Sequence, residues 1–246
     1  MRACIILIED PLYTPGIVKK LIENKLLNIR VVIIPSGFIS LKRIYSTFLI
    51  YGIKKFLITV FKVLYSSFKG GINQNLFKKA GVKVVKTKSV NSKLIINELK
   101  KANLDIIISN NCPQRIKEEI LKIPKLASIN VHLGLLPKYR GLFPLFHAFI
   151  RNEKEVGVSI HYMNVNFDDG DILSQAKIPI EIDDDLFSLY EKAFNLVPDL
   201  INNALLVINK KSKSNPLENK KSESSYYSYP VFKEIMIYRN KTKNLK

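Results

Sequence analysis

Tryptophan is absent from the 246 residues, cysteine occurs twice and histidine three times. Two cysteines, Cys4 in an apolar run and Cys112 in a polar loop, exclude a disulfide framework and fit a reducing cytoplasm. No His/Cys spacing suggests a metal site. The Gly-x-Gly-x-x-Gly fingerprint is missing after the first apolar run, which argues against a dinucleotide site there. Long uncharged apolar runs are missing too. Residues 41–68 are rich in Phe, Tyr, Leu and Ile, but Lys42, Arg43, Lys54, Lys55 and Lys62 interrupt them, so they make a poor membrane span. Residues 3–8 are too short for a signal sequence and read as a core strand. Carboxylates are scarce in the first half: residues 1–110 carry 19 basic and 5 acidic side chains, residues 111–246 carry 20 and 16. The net charge of +18 is either a solvated lysine-rich surface or an attraction to an anionic partner, such as nucleic acid, a nucleotide-linked substrate or an acidic membrane.

What is present supports one large domain, with 47% hydrophobic residues available for a core. Residues 3–9 form a continuous apolar run of buried parallel-strand type. Pro15-Gly16 opens a helix over 17–27, and a second strand at 29–34 ends at Pro35-Ser36-Gly37, so the order argues for a right-handed βαβ unit. Gly52 is expected to split 41–68 into two helices. In the second, Lys55, Thr59, Lys62 and Ser66 share a face opposite a broad apolar one. Two readings stay open: an insertion packed on the domain or on a second subunit, and a basic amphipathic helix resting at an inner membrane face. Further strands are expected at 81–85 and 104–109, with helices at 93–102 and 114–121. Asp183-Asp184-Asp185 reads as a helix N-terminus, followed by a helix to about 208. The expected organisation is a catalytic domain over 1–209, a polar linker over 210–225, and a short extension over 226–246. Its aromatic part (226–238) docks back, and its lysine-rich end is frayed.

The chain is organised around residues 130–180. Asn130-x-His132 closes an apolar run (129–132), and strand geometry points both side chains the same way. Leu135-Leu136-Pro137-Lys138-Tyr139-Arg140-Gly141 follows as a loop, then an apolar run at 156–163, an acidic turn closed by Gly170, and a last strand at 172–180. Asp168 lies 36 positions after His132, yet a strand pair brings such positions side by side. An amide, an imidazole and a carboxylate converging at strand ends suit acyl transfer to an amine. In open α/β sheets ligands bind at the carboxyl ends of the strands, where Asn110-Asn111 and Asn130-x-His132 both stand.

Asn130-x-His132, the Leu-Leu-Pro-Lys-Tyr-Arg-Gly loop, and Gly157-x-Ser159-Ile160-x-Tyr162-Met163 followed by Asp168-x-Gly170 together resemble the folate-dependent formyltransferases. That resemblance implies a Rossmann-like, open and mostly parallel sheet with helices on both faces, the 41–68 segment being a helical insertion. It implies 10-formyltetrahydrofolate as co-substrate. Asn130 and His132 would stabilise the oxyanion, His132 would also move protons, and Asp168 would hold the imidazole and accept the amine proton. The pterin would lie against Asn111, Cys112, Gln114, Arg115 and Ile116, and against Val165 and Phe167. Tyr139, Arg140 and Gly141 would face the acceptor. His147 and His161 read as structural or surface residues. One departure is that many relatives carry a serine where His132-Leu133-Gly134 places Gly134. The implied partner is a small, phosphate-bearing primary amine, with tRNA, a membrane surface through 41–68 and a homodimer as further expectations.

Overall fold

A computed structural model describes residues 1–36, 41–211 and 214–243. Gly37 of the expected turn, Ser212-Lys213 of the linker and the last three residues lie outside that range.

Strands and helices alternate through the first half. In chain order they are β1 (Arg2–Leu7), α1 (Thr14–Glu23), β2 (Asn28–Pro35), α2 (Leu41–Phe68), α3 (Ile72–Lys79), β3 (Lys83–Thr87), α4 (Lys93–Lys101) and β4 (Ile106–Asn110). The second half continues with α5 (Glu118–Leu121), β5 (Ala127–His132), β6 (Arg140–Gly141), α6 (Pro144–Ile150), β7 (Glu155–Tyr162), β8 (Ile172–Pro179), α7 (Leu186–Ile208), β9 (Tyr226–Tyr227) and α8 (Phe232–Thr242). Seven strands form one sheet in the order β3-β2-β1-β4-β5-β7-β8. The first five run parallel, β7 runs against β5, and β8 runs against β7.

Successive strand residues point to opposite faces, and β1 shows the consequence. Ala3, Ile5 and Leu7 pack with α1, α6 and α7 on one face, while Cys4 and Ile6 pack with α4 and α5 on the other. Both faces are covered, which is why β1 and β4 read as unbroken apolar runs. Asp185 caps α7 through bonds from Phe187 N and Ser188 N, with Ser188 returning the contact, so the long helix starts where the acidic triplet ends.

Two segments depart from expectation, and in a third, α2, the structure chooses between faces that the sequence leaves open. The helix expected over 114–121 shortens to Glu118–Leu121, because side chains hold the preceding residues extended. Gln114 accepts from Val90 N and donates to Lys88 O, and Asn91 donates to Arg115 O and accepts from Lys117 N. Helix α2 does kink at Gly52 (φ 70°), but its second half stands the other way round from an ordinary packed helix. Ser66 is buried, and Lys55 pairs with Asp185 and lies over the Phe187 ring. Ile53, Leu57, Phe61, Leu64 and Phe68 face outward. The later part of the polar segment read as a linker, from residue 214, lies along the edge of the main sheet. There Leu217 bridges to Ile172 and Asn219 is buried, before Tyr226-Tyr227 pairs with Arg140-Gly141 as a two-stranded parallel ribbon.

Candidate active site

The site begins with the register of three strands. β4 and β5 pair in parallel, placing Ser109 beside Asn130, and β5 pairs with β7 so that Asn130 lies opposite His161 and His132 opposite Ser159. Directly opposed residues share a face. Asn130, His132 and His161 are therefore presented together. The turn after β7 then doubles back over that face. It can do so because Gly170 lies so close to Tyr162 that a Cβ there would sit 2.1 Å from the Tyr162 carbonyl oxygen. Asp168 holds a left-handed φ of 50° within this turn.

The result is a carboxylate between two imidazoles. Asp168 Oδ1 is 3.5 Å from His132 Nδ1 and 3.5 Å from His161 Nε2, and Asp168 Oδ2 accepts from Gly141 N at 2.8 Å. His132 Nε2 lies 2.8 Å from the Tyr139 carbonyl, which can only accept, so Nε2 carries the proton. The neutral ring then turns the bare Nδ1 toward Asp168, leaving that nitrogen as the place where an incoming proton is received. His161 is fixed the opposite way. Its Nδ1 donates to Tyr162 O at 2.8 Å, so its Nε2 accepts from Asn130 Nδ2 at 3.3 Å and orients that amide.

Burial disfavours charge on His132 and lowers its pKa from the ordinary 6.5, more than Asp168 raises it. Burial also pushes Asp168 upward, but attraction to either imidazole when it is protonated and the Gly141 N–H outweigh it and hold the carboxyl well below its usual range. Near neutral pH the cluster thus consists of a neutral imidazole, a carboxylate and an oriented amide. Burial raises the Cys112 thiol to about 11, so it stays protonated and serves as a wall rather than a nucleophile.

The residues expected around a pterin form two facing loops. Asn111 (φ 57°) turns the chain after β4, and Cys112 Sγ donates to Gln114 O at 3.4 Å. Arg115 reaches across to the Val165 carbonyl and stacks over the Phe167 ring at 5.3 Å, joining the loops at their mouth. Val165 and Phe167 are exposed there, whereas Ile116 is buried in the core under α4. An aromatic ring and a guanidinium beside a backbone carbonyl suit a flat, hydrogen-bonding heterocycle.

The expected acceptor trio is arranged otherwise. Tyr139 is buried, donates to Glu153 Oε1 at 2.7 Å and stacks on Tyr227. Arg140 is buried and pairs with Asp169 at 2.6 Å, and its Nη2 donates to Asn219 Oδ1 at 2.7 Å. Gly141 contributes its N–H to Asp168. Tyr139 and Arg140 therefore point inward, and what the loop supplies is the position of the turn that carries Asp168.

Two residues gain a place at the site that the sequence does not give them. His161, expected to be structural or surface, is buried and holds the Asn130 amide. The signal that finds it is register, since β7 in antiparallel pairing puts it opposite Asn130. Asn219 carried no signal. Its Nδ2 donates to Asp168 O and Gly170 O, both at 2.9 Å, across about fifty residues of chain.

A family model described as formyl transferase matches residues 61–205, more than half of the chain. A methionyl-tRNA formyltransferase from Caldanaerobacter subterraneus subsp. tengcongensis is 39% identical over 158 residues, covering 63% of this chain and 50% of the relative. The chain thus spans about half the length of that relative. Among solved structures, a glycinamide ribonucleotide transformylase 1 from Symbiobacterium toebii superposes with a TM-score of 0.65 at 15% identity, covering 89% of this chain and 95% of that one. A sugar N-formyltransferase from Shewanella sp FDAARGOS_354 gives 0.57 at 19% identity, covering 93% and 77%. These two share the open α/β fold, and the match of the family model over more than half of the chain shows that the chain belongs to the formyl transferase family.

Proposed function

We propose that the chain transfers a formyl group from 10-formyltetrahydrofolate to a primary amine carried by a small, phosphate-bearing sugar, nucleotide-linked or lipid-linked. The observation that carries this reading is the carboxylate held between His132 and His161 beside an oriented Asn130 amide. The folate supplies an activated formamide, so no nucleophilic side chain is needed.

The attacking amine must lose a proton as its nitrogen bonds to the formyl carbon. His132 Nδ1 is bare and takes that proton, directly or through water, and Asp168 at 3.5 Å stabilises the imidazolium. Negative charge develops on the formyl oxygen, and the Asn130 amide donates to it. His161 holds that amide in place, and fixed donors of this kind are worth about 10²–10³ in rate. Collapse breaks the bond to the folate nitrogen, which leaves protonated by the imidazolium. Asn111, Cys112, Gln114 and Arg115 on one side, with Val165 and Phe167 on the other, would hold the folate. Ile116 supports the first loop from beneath.

The acceptor class rests on charge. The first half carries 19 basic against 5 acidic side chains, a field that draws phosphate-bearing substrates. A sugar N-formyltransferase is among the structures with this fold. The second reading, initiator methionyl-tRNA, is favoured by the sequence match to a methionyl-tRNA formyltransferase. A panel of nucleotide-linked amino sugars, glycinamide ribonucleotide and methionyl-tRNA separates them through acceptor-dependent tetrahydrofolate release. Turnover with an amino sugar alone supports the proposal, turnover with the tRNA alone transfers the activity to the second reading, and equal turnover without any amine makes the chain a hydrolase.

A further inference from the structure

We propose that the outward face of residues 53–68, the second half of α2, docks in the plane of an anionic lipid bilayer. The face is large and unusually apolar. Ile53, Leu57, Phe61, Leu64 and Phe68 recur at helical spacing along one stripe, with Ile58 and Tyr65 beside it, and Phe61 and Phe68 are 70% and 85% exposed. On a protein surface such a contiguous stripe marks a contact.

The helix cannot turn this face inward. Ser66 is 1% exposed, and its Oγ accepts from Ile72 N. Lys55 reaches back to pair with Asp185 at the cap of α7, and its ammonium sits 4.7 Å from the centre of the Phe187 ring. These contacts fix the rotation of the helix about its axis, so the outward stripe is built in.

Charge selects the occupant. Lys54 stands within the stripe, Lys62 and Lys69 border it, and all three are exposed. Between Glu23 and Glu98 the chain holds fourteen lysine and arginine residues and no carboxylate. A second copy docked on the same stripe would oppose Lys54 and Lys62 to like charges with no acid on the face to pair them. A neutral apolar partner would leave them unmatched. An anionic headgroup layer accepts the lysines while its acyl boundary takes the apolar residues. A helix of this length covers about 24 Å lying flat, and no helix among the described residues is long and apolar enough to cross a membrane. The surface thus suits lying on a bilayer and would hold the site near lipid-borne substrates.

The absence of native tryptophan supplies the test, because Phe61→Trp places a single reporter in the stripe. The full chain carrying it is mixed with vesicles of phosphatidylcholine alone or with one third phosphatidylglycerol. A blue shift on the anionic vesicles that salt reverses is expected. Leu57→Ser with Phe68→Ser should weaken flotation with those vesicles at least about 10-fold, and Lys54→Glu with Lys62→Glu at least about 25-fold. All of these side chains are exposed, so the unfolding midpoint should stay unchanged and separate lost binding from lost fold. No shift on anionic vesicles, equal binding to neutral ones, or binding untouched by the substitutions would overturn the proposal. So would a concentration-dependent dimer in sedimentation that Leu57→Ser with Phe68→Ser abolishes, which would assign the face to a second copy.

Discussion

Asn219→Ala removes one small amide and should disable a site whose catalytic groups it never touches. The side chain is 5% exposed and makes three bonds: to Asp168 O and Gly170 O at 2.9 Å, and from Arg140 Nη2 at 2.7 Å. Two neutral bonds at about 1 kcal/mol each and one to a charged group at about 2 kcal/mol give a gross loss of about 4 kcal/mol. Water entering the truncated space and the surviving contact from Arg140 Nη2 to Asn219 O reduce this to about 3 kcal/mol. For a chain of this size that lowers the midpoint by about 6–12 °C. Activity should fall further than stability, since Asp168 sits at a φ of 50° and needs its carbonyl restrained to keep its carboxylate near His132. Asn219→Asp separates the effects. It keeps the oxygen that faces Arg140 but loses both donors, so stability should partly return while kcat stays low. Thermal unfolding followed by circular dichroism, with kcat and KM measured below the midpoint, reads both. A midpoint within about 1 °C of the parent together with unchanged kcat would refute the account of the strap.

Other consequences follow from the same geometry. Asn130→Ala should lower kcat about 10²–10³-fold with little change in KM for the folate, as steady-state kinetics would register. Gly141→Ala must place a side chain 2.2 Å from the Tyr227 carbonyl at a φ of 93°. It should break the ribbon of β6 and β9, pull the N–H from Asp168 and lower both stability and kcat, checked by denaturant unfolding and kinetics. The folded His132 has a lowered pKa, so the neutral ring contributes stability that is present above about pH 6.5 and lost as pH falls from there through the folded value. The log of kcat/KM should decline only as pH falls through that lowered folded value, while Asp168 stays ionised. An acid limb centred at or above the ordinary imidazole value of 6.5 would contradict a buried, neutral His132.

The sheet and the turn that carries Asp168 were legible in the sequence because both are written locally. Apolar runs at 3–9 and 104–109 require burial on two faces, and Asn130-x-His132 with Asp168-x-Gly170 marks strand ends and a tight turn. His161 was hidden because its role depends on which strand pairs with β5 and in what register. Asn219 was hidden in a polar stretch, where composition describes a linker and a single amide makes its contacts by position. Periodicity in α2 defined two faces but not which one turns inward. That choice was made by Lys55 meeting Asp185, a contact 130 residues apart. The helix expected at 114–121 lost its first turn to side-chain bonds from Gln114 and Asn91, which no propensity reports.

The central claim is that Asp168 and His132 act together on the proton of an attacking amine. Acceptor-dependent release of tetrahydrofolate from 10-formyltetrahydrofolate, compared between the parent and Asp168→Asn, tests it directly. Asparagine keeps the size and the contact with Gly141 but removes the charge that stabilises the His132 imidazolium. Release that requires an amine, and a kcat about 10³-fold lower in Asp168→Asn with folate still bound, is the predicted result. Equal kcat in the two proteins, or release in neither, would contradict it.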